Sequence, residues 1–224
     1  MKILAMIPAR MGSQRLKQKN LRELDGVPLI TRAIRKCQAA GVFDAIRVNS
    51  EHPAFGEIAA AEGVGFHQRP DALANNQATS EQFVAEFLQA HDCDFVVQVH
   101  SIAPLLTVAE IRDFVTVLKE DRVDCLLSAD DVQIECAYRG QPVNFSFAEK
   151  TNSQNLEPVQ RLSWSITAWR RGTYLAATAA GTCATYAGRV GFHPVSPLAG
   201  HVIKTERDLQ IAGALLPLVQ DLPE

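Results

Sequence analysis

Short apolar runs alternate along the chain with longer stretches whose apolar residues recur every three or four positions. Runs rich in Val, Ile, Leu and Phe at 2–7, 45–49, 64–67, 95–99 and 123–129 have strand length and are bounded by polar or turn residues. Between them the helical period predicts helices over 28–39, 53–62, 79–90 and 107–119. Pro28 and Pro53 read as first-turn prolines, Gly41 and Gly63 as C-terminal stops, and Thr107-Val108-Ala109-Glu110 as a capping box. Strands alternating with helices of this length predict the α/β class, a parallel sheet covered by helices on both faces.

The rhythm breaks after Asp130. Residues 132–161 hold Gly140-Gln141-Pro142, Asn144 and a polar stretch over 149–155, which predicts a hairpin and loop excursion. The alternation resumes with a strand over 164–169, a helix over 170–180, a strand over 189–194 and a last helix from Thr205 to about Leu216. Asp130-Asp131 reads as the start of a turn, with metal ligation as the alternative. Trp164 and Trp169 are an odd number of residues apart on one predicted strand, which points them to opposite faces.

Composition narrows the partners. With 224 residues, 47% of them hydrophobic, one domain over 1–224 has enough apolar material for a sizeable core. The balance of 22 Lys+Arg against 25 Asp+Glu leaves a net charge of −3 and no basic field, which argues against nucleic acid as a partner. The opening apolar run is short and meets charged residues at once, and no later run reaches the roughly 18 residues a membrane span needs. A cytoplasmic protein with no membrane partner is expected. Cys37, Cys93, Cys125, Cys136 and Cys183 form no C-x-x-C pair and read as reduced core thiols.

Candidate chemistry concentrates directly after the first strand. In the loop from Ile7 to Asn20, Arg10, Arg15, Lys17 and Lys19 place four cations within ten residues, and Gly12-Ser13 permits close backbone approach. On an arbitrary surface such a cluster is a solvated loop. Its place at the carboxyl end of the first strand, where open α/β sheets bind ligands, favours a phosphate cradle. It is neither a Walker loop nor a G-x-G-x-x-G loop.

The run Ile7-Pro8-Ala9-Arg10-x-Gly12-Ser13-x-Arg15-x-x-x-Lys19-Asn20, followed by Leu24-x-Gly26-x-Pro28-Leu29-Ile30, resembles the opening of the sugar-acid cytidylyltransferases, the CMP-sialic acid and CMP-keto-deoxyoctulosonate synthetases. The resemblance continues more loosely through Arg69-Pro70, Thr79-Ser80, the segment from Gln98 to Leu105, and Thr205-Glu206-x-Asp208-Leu209. It implies a Rossmann-like, glycosyltransferase-A-like nucleotidyltransferase in three layers, with 132–161 as the excursion through which two copies form a homodimer. It implies attack of a sugar-acid hydroxyl on the α-phosphorus of CTP, leaving a CMP-sugar and pyrophosphate.

By the same resemblance, Ala9 would contact the cytosine through its backbone, and Arg10, Gly12, Ser13, Arg15 and Lys19 would surround the triphosphate. Asn20 would order the loop, Arg69 and Ser80 would read base and ribose, and Gln98 would border the acceptor; His100, Ser101 and Trp164, which depart from the family pattern, are further candidates for the acceptor pocket, with a place in a dimer core as the alternative for Trp164. Two departures stand out. Family members carry aspartates for magnesium just before the last helix, where this chain has Val202 and Lys204. In the keto-deoxyoctulosonate branch a further aspartate follows the glutamine of the fourth strand, where this chain has His100 and Ser101. Magnesium takes hard oxygen ligands, and an ammonium at a ligand position repels it.

Three explanations are open. Lys204 supplies part of the missing positive charge beside Arg10 and Lys19, with magnesium arriving on CTP. Alternatively the chain charges a different acid or a non-sugar phosphorylated acceptor, or it binds a nucleotide and catalyses nothing. His100 and His201 could form a metal or proton-relay pair, but their wide spacing favours two unrelated histidines.

Overall fold

The computed structural model describes residues 1–219, so residues 220–224, the end of the predicted domain, lie outside the described residues. In β1 (Ile3–Pro8), Ile3, Ala5 and Ile7 face one side of the central sheet and Leu4 and Met6 the other, the two-residue period of a strand. The chain continues through a short hairpin, β2 (Glu23–Leu24) and β3 (Val27–Pro28), then α1 (Leu29–Ala40), β4 (Ala45–Ser50), α2 (Pro53–Ala61) and β5 (Gly65–Gln68). Next come α3 (Ser80–Ala90), β6 (Phe95–Val99), α4 (Val108–Lys119) and β7 (Cys125–Val132). A second short hairpin, β8 (Ala137–Tyr138) and β9 (Gln141–Pro142), precedes β10 (Val159–Arg170), α5 (Arg171–Ala179), β11 (Val190–Pro194) and α6 (Glu206–Leu215).

Seven strands form one sheet in the order β11-β7-β10-β6-β1-β4-β5. Ile34, Phe55 and Phe114 bury α1, α2 and α4 on one face, and Val84 and Tyr174 bury α3 and α5 on the other. The expected α/β three-layer architecture is present, and the sheet is mixed. β10 runs antiparallel to both of its neighbours, β6 and β7, while the other pairings in this sheet are parallel. The crossover from β6 through α4 leaves a vacant position beside β6. After the excursion, the chain fills that position from the opposite direction.

Local signals account for most boundaries. Thr79, Thr107 and Thr205 each cap their helices in reciprocal boxes with Gln82, Glu110 and Asp208. Gly41 ends α1 at φ 65°, a left-handed conformation that glycine adopts without steric cost. Pro28 stands at the N-cap of α1 and pairs in β3, one position earlier than the predicted first turn. The tight turn of that first hairpin is Asp25-Gly26, with φ of 52° and 69°. Asp-Gly is the local signal for such a primed turn.

Two sequence expectations are corrected. Asp130 and Asp131 continue β7 instead of starting a turn, because the early part of β10 pairs with them. Arg161 Nη2 donates to Asp130 Oδ2 at 2.6 Å, and Gln160 Nε2 to Asp131 Oδ1 at 3.2 Å. The two tryptophans do not take opposite faces. The register shifts between Leu162 and Thr167, with Trp164 at φ 58°, and this bulge brings Trp164 to the same apolar cluster as Trp169.

The excursion holds the β8–β9 hairpin and is tied by Asn144. Its Nδ2 donates to the carbonyls of Ile134 and Glu157 at 2.9 and 2.8 Å, and its Oδ1 accepts from Cys136 N at 2.8 Å. Ile134, Tyr138, Val143 and Phe147 are exposed there. All five cysteines are free. Burial pushes the Cys37 and Cys125 thiols up to about 12, whereas the half-buried Cys136 of the excursion and the exposed Cys183 do not belong to the core.

Candidate active site

The loop after β1 wraps a cavity of about 590 Å³ at the carboxyl end of the central strands. Ala9, Arg10, Ser13, Arg15, Lys19 and Asn20 line it from the loop, and Arg69, His100 and Ser101 from other elements. This volume lies within the range of small-molecule pockets.

Two anchors hold the loop. At its start, the buried Arg69 donates through Nη2 to the Ala9 carbonyl at 2.6 Å and to Glu51 Oε2 at 3.1 Å, with its guanidinium over the Phe83 ring. Glu51 Oε1 accepts from Met11 N at 2.8 Å, so one carboxylate gathers both the loop and the arginine. Burial raises the Glu51 carboxyl pKa, but hydrogen bonds from Met11 N and Arg69 outweigh it and hold the group below its ordinary value. At the loop's far end, Asn20 is buried, donates to the Arg10 carbonyl at 3.3 Å and accepts from Ser101 Oγ at 3.0 Å. Between these anchors, Leu16 is buried in a cluster with Leu24, Leu29, Ile203 and Leu209.

The field inside is cationic. Burial lowers the Lys19 pKa first, and the neighbouring Arg15, Arg10 and Lys204 charges lower it further, against a smaller opposing effect of Asp208. Among the described residues no Asp or Glu lines this cavity. A triphosphate placed there would meet donors and cations, and its charge would relieve their mutual repulsion.

A second cavity of about 480 Å³ is lined by Arg161, Ser163, Trp164, His201, Val202, Lys204 and Asp208, among others. Trp164 stands edge-on to Tyr186 with ring centroids 6.4 Å apart. The Ser163, Ser128 and Ser165 hydroxyls bond to one another, and Ser128 Oγ accepts from Ile166 N at 3.2 Å across the bulge.

The structure thus brings together Ala9, Arg10, Ser13, Arg15, Lys19, Asn20, Arg69, His100 and Ser101, and sets Trp164, Val202 and Lys204 in the neighbouring cavity. Gln98 is buried behind the site, its amide donating to His100 Nε2, which makes that ring nitrogen an acceptor. Burial, with Lys19 adding to it, pushes His100 down to about 4. Gly12 faces open space, and Ser80 opens α3 outside the lining of both cavities, where Asn76, Ala78 and Phe83 take part instead. His201 donates to the Asp208 carbonyl at 2.8 Å and lines the second cavity, so the two histidines do not pair. Sequence reasoning missed Glu51 and Arg161. Nothing local marks either, because each acts on a residue distant in the chain.

Residues 4–174 match the profile of the cytidylyltransferase family. The chain belongs to the cytidylyltransferase family. Among curated relatives of this family, N-acylneuraminate cytidylyltransferase A of Danio rerio is 27% identical over 176 residues, 77% of this chain and 40% of that protein. The N-acylneuraminate cytidylyltransferase of Streptococcus agalactiae serotype III is 28% identical over 197 residues, 84% of this chain and 48% of that one. The chain therefore spans less than half the length of these two relatives. Among solved structures, CMP:2-keto-3-deoxy-manno-octonic acid synthetase complexed with CTP superposes with a TM-score of 0.69 at 18% identity, covering 97% of this chain and 99% of that one. That similarity shows the fold, which for this cytidylyltransferase-family chain is the Rossmann-like nucleotidyltransferase arrangement.

Magnesium, implied by the resemblance, finds no protein-built site. Among the described residues no group of three or more His, Cys, Asp or Glu could hold a metal. Asp208, which reaches the second cavity, already accepts from Lys204 N, Thr205 N and Thr205 Oγ1 through Oδ2 at 2.8–2.9 Å. The residues present do not fit a protein-held magnesium ion. Among the described residues no helix is long and apolar enough to cross a membrane.

Proposed function

We propose that the chain is a CTP-dependent cytidylyltransferase that activates a sugar acid, of the nonulosonic or keto-deoxyoctulosonate kind, to a CMP-sugar. The observation that carries this reading is the first cavity, where Arg10, Arg15 and Lys19 converge with no carboxylate between them, in a chain of this family. The acceptor hydroxyl oxygen forms a bond to the α-phosphorus, the bond from that phosphorus to the bridging oxygen breaks, and pyrophosphate leaves with the bond's electron pair. The hydroxyl proton passes to water. Such a transfer depends on positioning and on stabilising the charge of the leaving group more than on an acid–base pair. Arg10, Arg15 and Lys19 supply that charge stabilisation, the Ala9 backbone and Arg69 meet the base, and Trp164 flanks the acceptor.

A homodimer through the excursion and a cytoplasmic location belong to the same proposal. The exposed Ile134, Tyr138, Val143 and Phe147 support the first, and the five free thiols support the second. The absence of carboxylates from the first cavity favours a second reading, a nucleotide-binding homologue without catalysis. Pyrophosphate release from CTP over a panel of nonulosonic acids, keto-deoxyoctulosonate and phosphorylated acids separates the readings. Release with a sugar acid supports the proposal, release with phosphorylated acids alone moves the acceptor class, and CTP binding without release from any acceptor supports the silent homologue.

A further inference from the structure

Backbone hydrogen bonds join the elements that line the two cavities. His100 N donates to the Ser165 carbonyl at 3.1 Å, joining the end of β6 to the β10 segment that carries Ser163 and Trp164. Ile203 N donates to the Ile102 carbonyl at 2.8 Å, which fastens the segment carrying Lys204 to the loop that lines the first cavity. Ile203 also packs with Leu16 of the cationic loop in one buried cluster. Two contacts of Ile203 therefore fasten the segment carrying Lys204, which lines the second cavity, to the loop that lines the first.

The backbone there is held firmly. Lys204 N donates to Asp208 Oδ2 at 2.9 Å, inside the capping box that starts α6. The same box engages Asp208 Oδ2 with Lys204 N, Thr205 N and Thr205 Oγ1, and the Asp208 carboxylate makes no ion pair with the Lys204 side chain within 4.0 Å. Among the described residues Arg15, Lys19 and Lys204 have no ion-pair partner within 4.0 Å.

We propose that Lys204 is a fixed cation beside the first cavity that takes the place of a protein-held divalent ion, so that CTP binds through Arg10, Arg15, Lys19 and Lys204 without needing one. The proposal rests on the CTP-dependent reading given above. Four side-chain cations match the order of charge on an unchelated triphosphate. Burial lowers the Lys19 pKa first, and repulsion from Arg15, Arg10 and Lys204 lowers it further, so Lys204 lies close enough to act on the cations of the first cavity. A cation beside the first cavity also lies where charge develops as the pyrophosphate departs, and a preorganised charge there needs no reorganisation during reaction.

Calorimetric titration of CTP into the wild-type protein, with EDTA and then with magnesium, tests this. The expected result is a Kd in EDTA within about threefold of that in magnesium. Lys204→Ala should weaken binding in EDTA about tenfold or more, Lys204→Arg should retain it, and Lys204→Asp should make binding depend on magnesium. Lys204 is exposed, so the melting temperatures of all three variants should stay at the wild-type value, which separates loss of charge from loss of fold. Wild-type binding that requires magnesium, or Lys204→Ala binding at full strength in EDTA, overturns the Lys204 proposal and leaves the CTP reading standing. Absence of CTP binding in both conditions overturns both.

Discussion

The Arg69 guanidinium donates to the Ala9 carbonyl oxygen at 2.6 Å, across 60 positions of the chain. Glu51 completes this contact by accepting from Arg69 and from Met11 N, so a carboxylate at the end of β4 sets the shape of the loop that follows β1. A buried arginine beside a cavity of cations needs a counter-charge, and Glu51 supplies it.

Replacing that carboxylate should loosen the cradle without touching the reacting atoms. Glu51→Gln is expected to raise KM for CTP about tenfold with little change in kcat. Glu51→Ala should further destabilise the fold by about 3 kcal/mol, the order of cost for a buried charge left without its partner. Steady-state kinetics with urea unfolding checks both. An unchanged KM in Glu51→Gln would mean that the loop keeps its shape without the carboxylate.

Leu16 is the apolar pin in a cationic loop, and its cluster includes Ile203 from the Lys204 segment. Leu16→Ala should cost about 2–4 kcal/mol in stability, from lost burial and the cavity left behind. It should also weaken CTP binding, because Lys19 and Lys204 would lose their common support. Chemical denaturation paired with CTP calorimetry reads both effects. A stability loss with unaltered CTP affinity would separate the cluster from the site.

Trp164 holds a left-handed backbone conformation, φ 58°, that favours glycine. Trp164→Gly and Trp164→Ala both remove the ring that faces Tyr186, but only the glycine variant relieves the backbone. The glycine variant should therefore be the more stable of the two by about 1 kcal/mol. Both should raise KM for the acceptor more than KM for CTP, since the ring lines the second cavity. Equal melting temperatures for the two variants would remove the bulge strain from this account.

Burial lowers the pKa of three histidines, His91 and His100 to about 4 and His193 by a smaller shift. Arg47 and His67 add to the effect on His91. In the unfolded chain these rings protonate near the ordinary imidazole value of about 6.5. Their folded values lie lower, so the unfolded state binds more protons in between, and stability is full above that value and falls as the pH drops toward 4. Urea midpoints should decline steadily from pH 7 to pH 4.5, and His91→Gln should flatten part of the slope. A midpoint independent of pH over this window would contradict the burial of the rings.

Much of the architecture was legible in the chain. β1, β4 and β6 announced themselves because each is flanked on both sides in the sheet and so is apolar over most of its length, and the capped helices carry their stops in a few adjacent residues. The early part of β10 was not legible. Residues 159–161 are part-exposed or exposed, lack the apolar pattern of a covered strand, and are held by pairing with β7. The expectation of opposite faces for Trp164 and Trp169 failed for a related reason, since a bulge cancels the two-residue alternation and leaves no mark in the periodicity.

The sequence by itself determined the α/β class and the cationic loop after β1. These are properties of neighbouring residues, whose spacing and charge act over one turn or one loop. The tertiary structure alone decided that Glu51 and Arg69 shape that loop, that β10 enters the sheet antiparallel, and that Lys204 lines the second cavity on a segment fastened to the wall of the first. Those outcomes come from pairings between residues tens of positions apart, which form when the sheet brings the ends of β1, β4 and β6 beside the earlier half of the antiparallel β10.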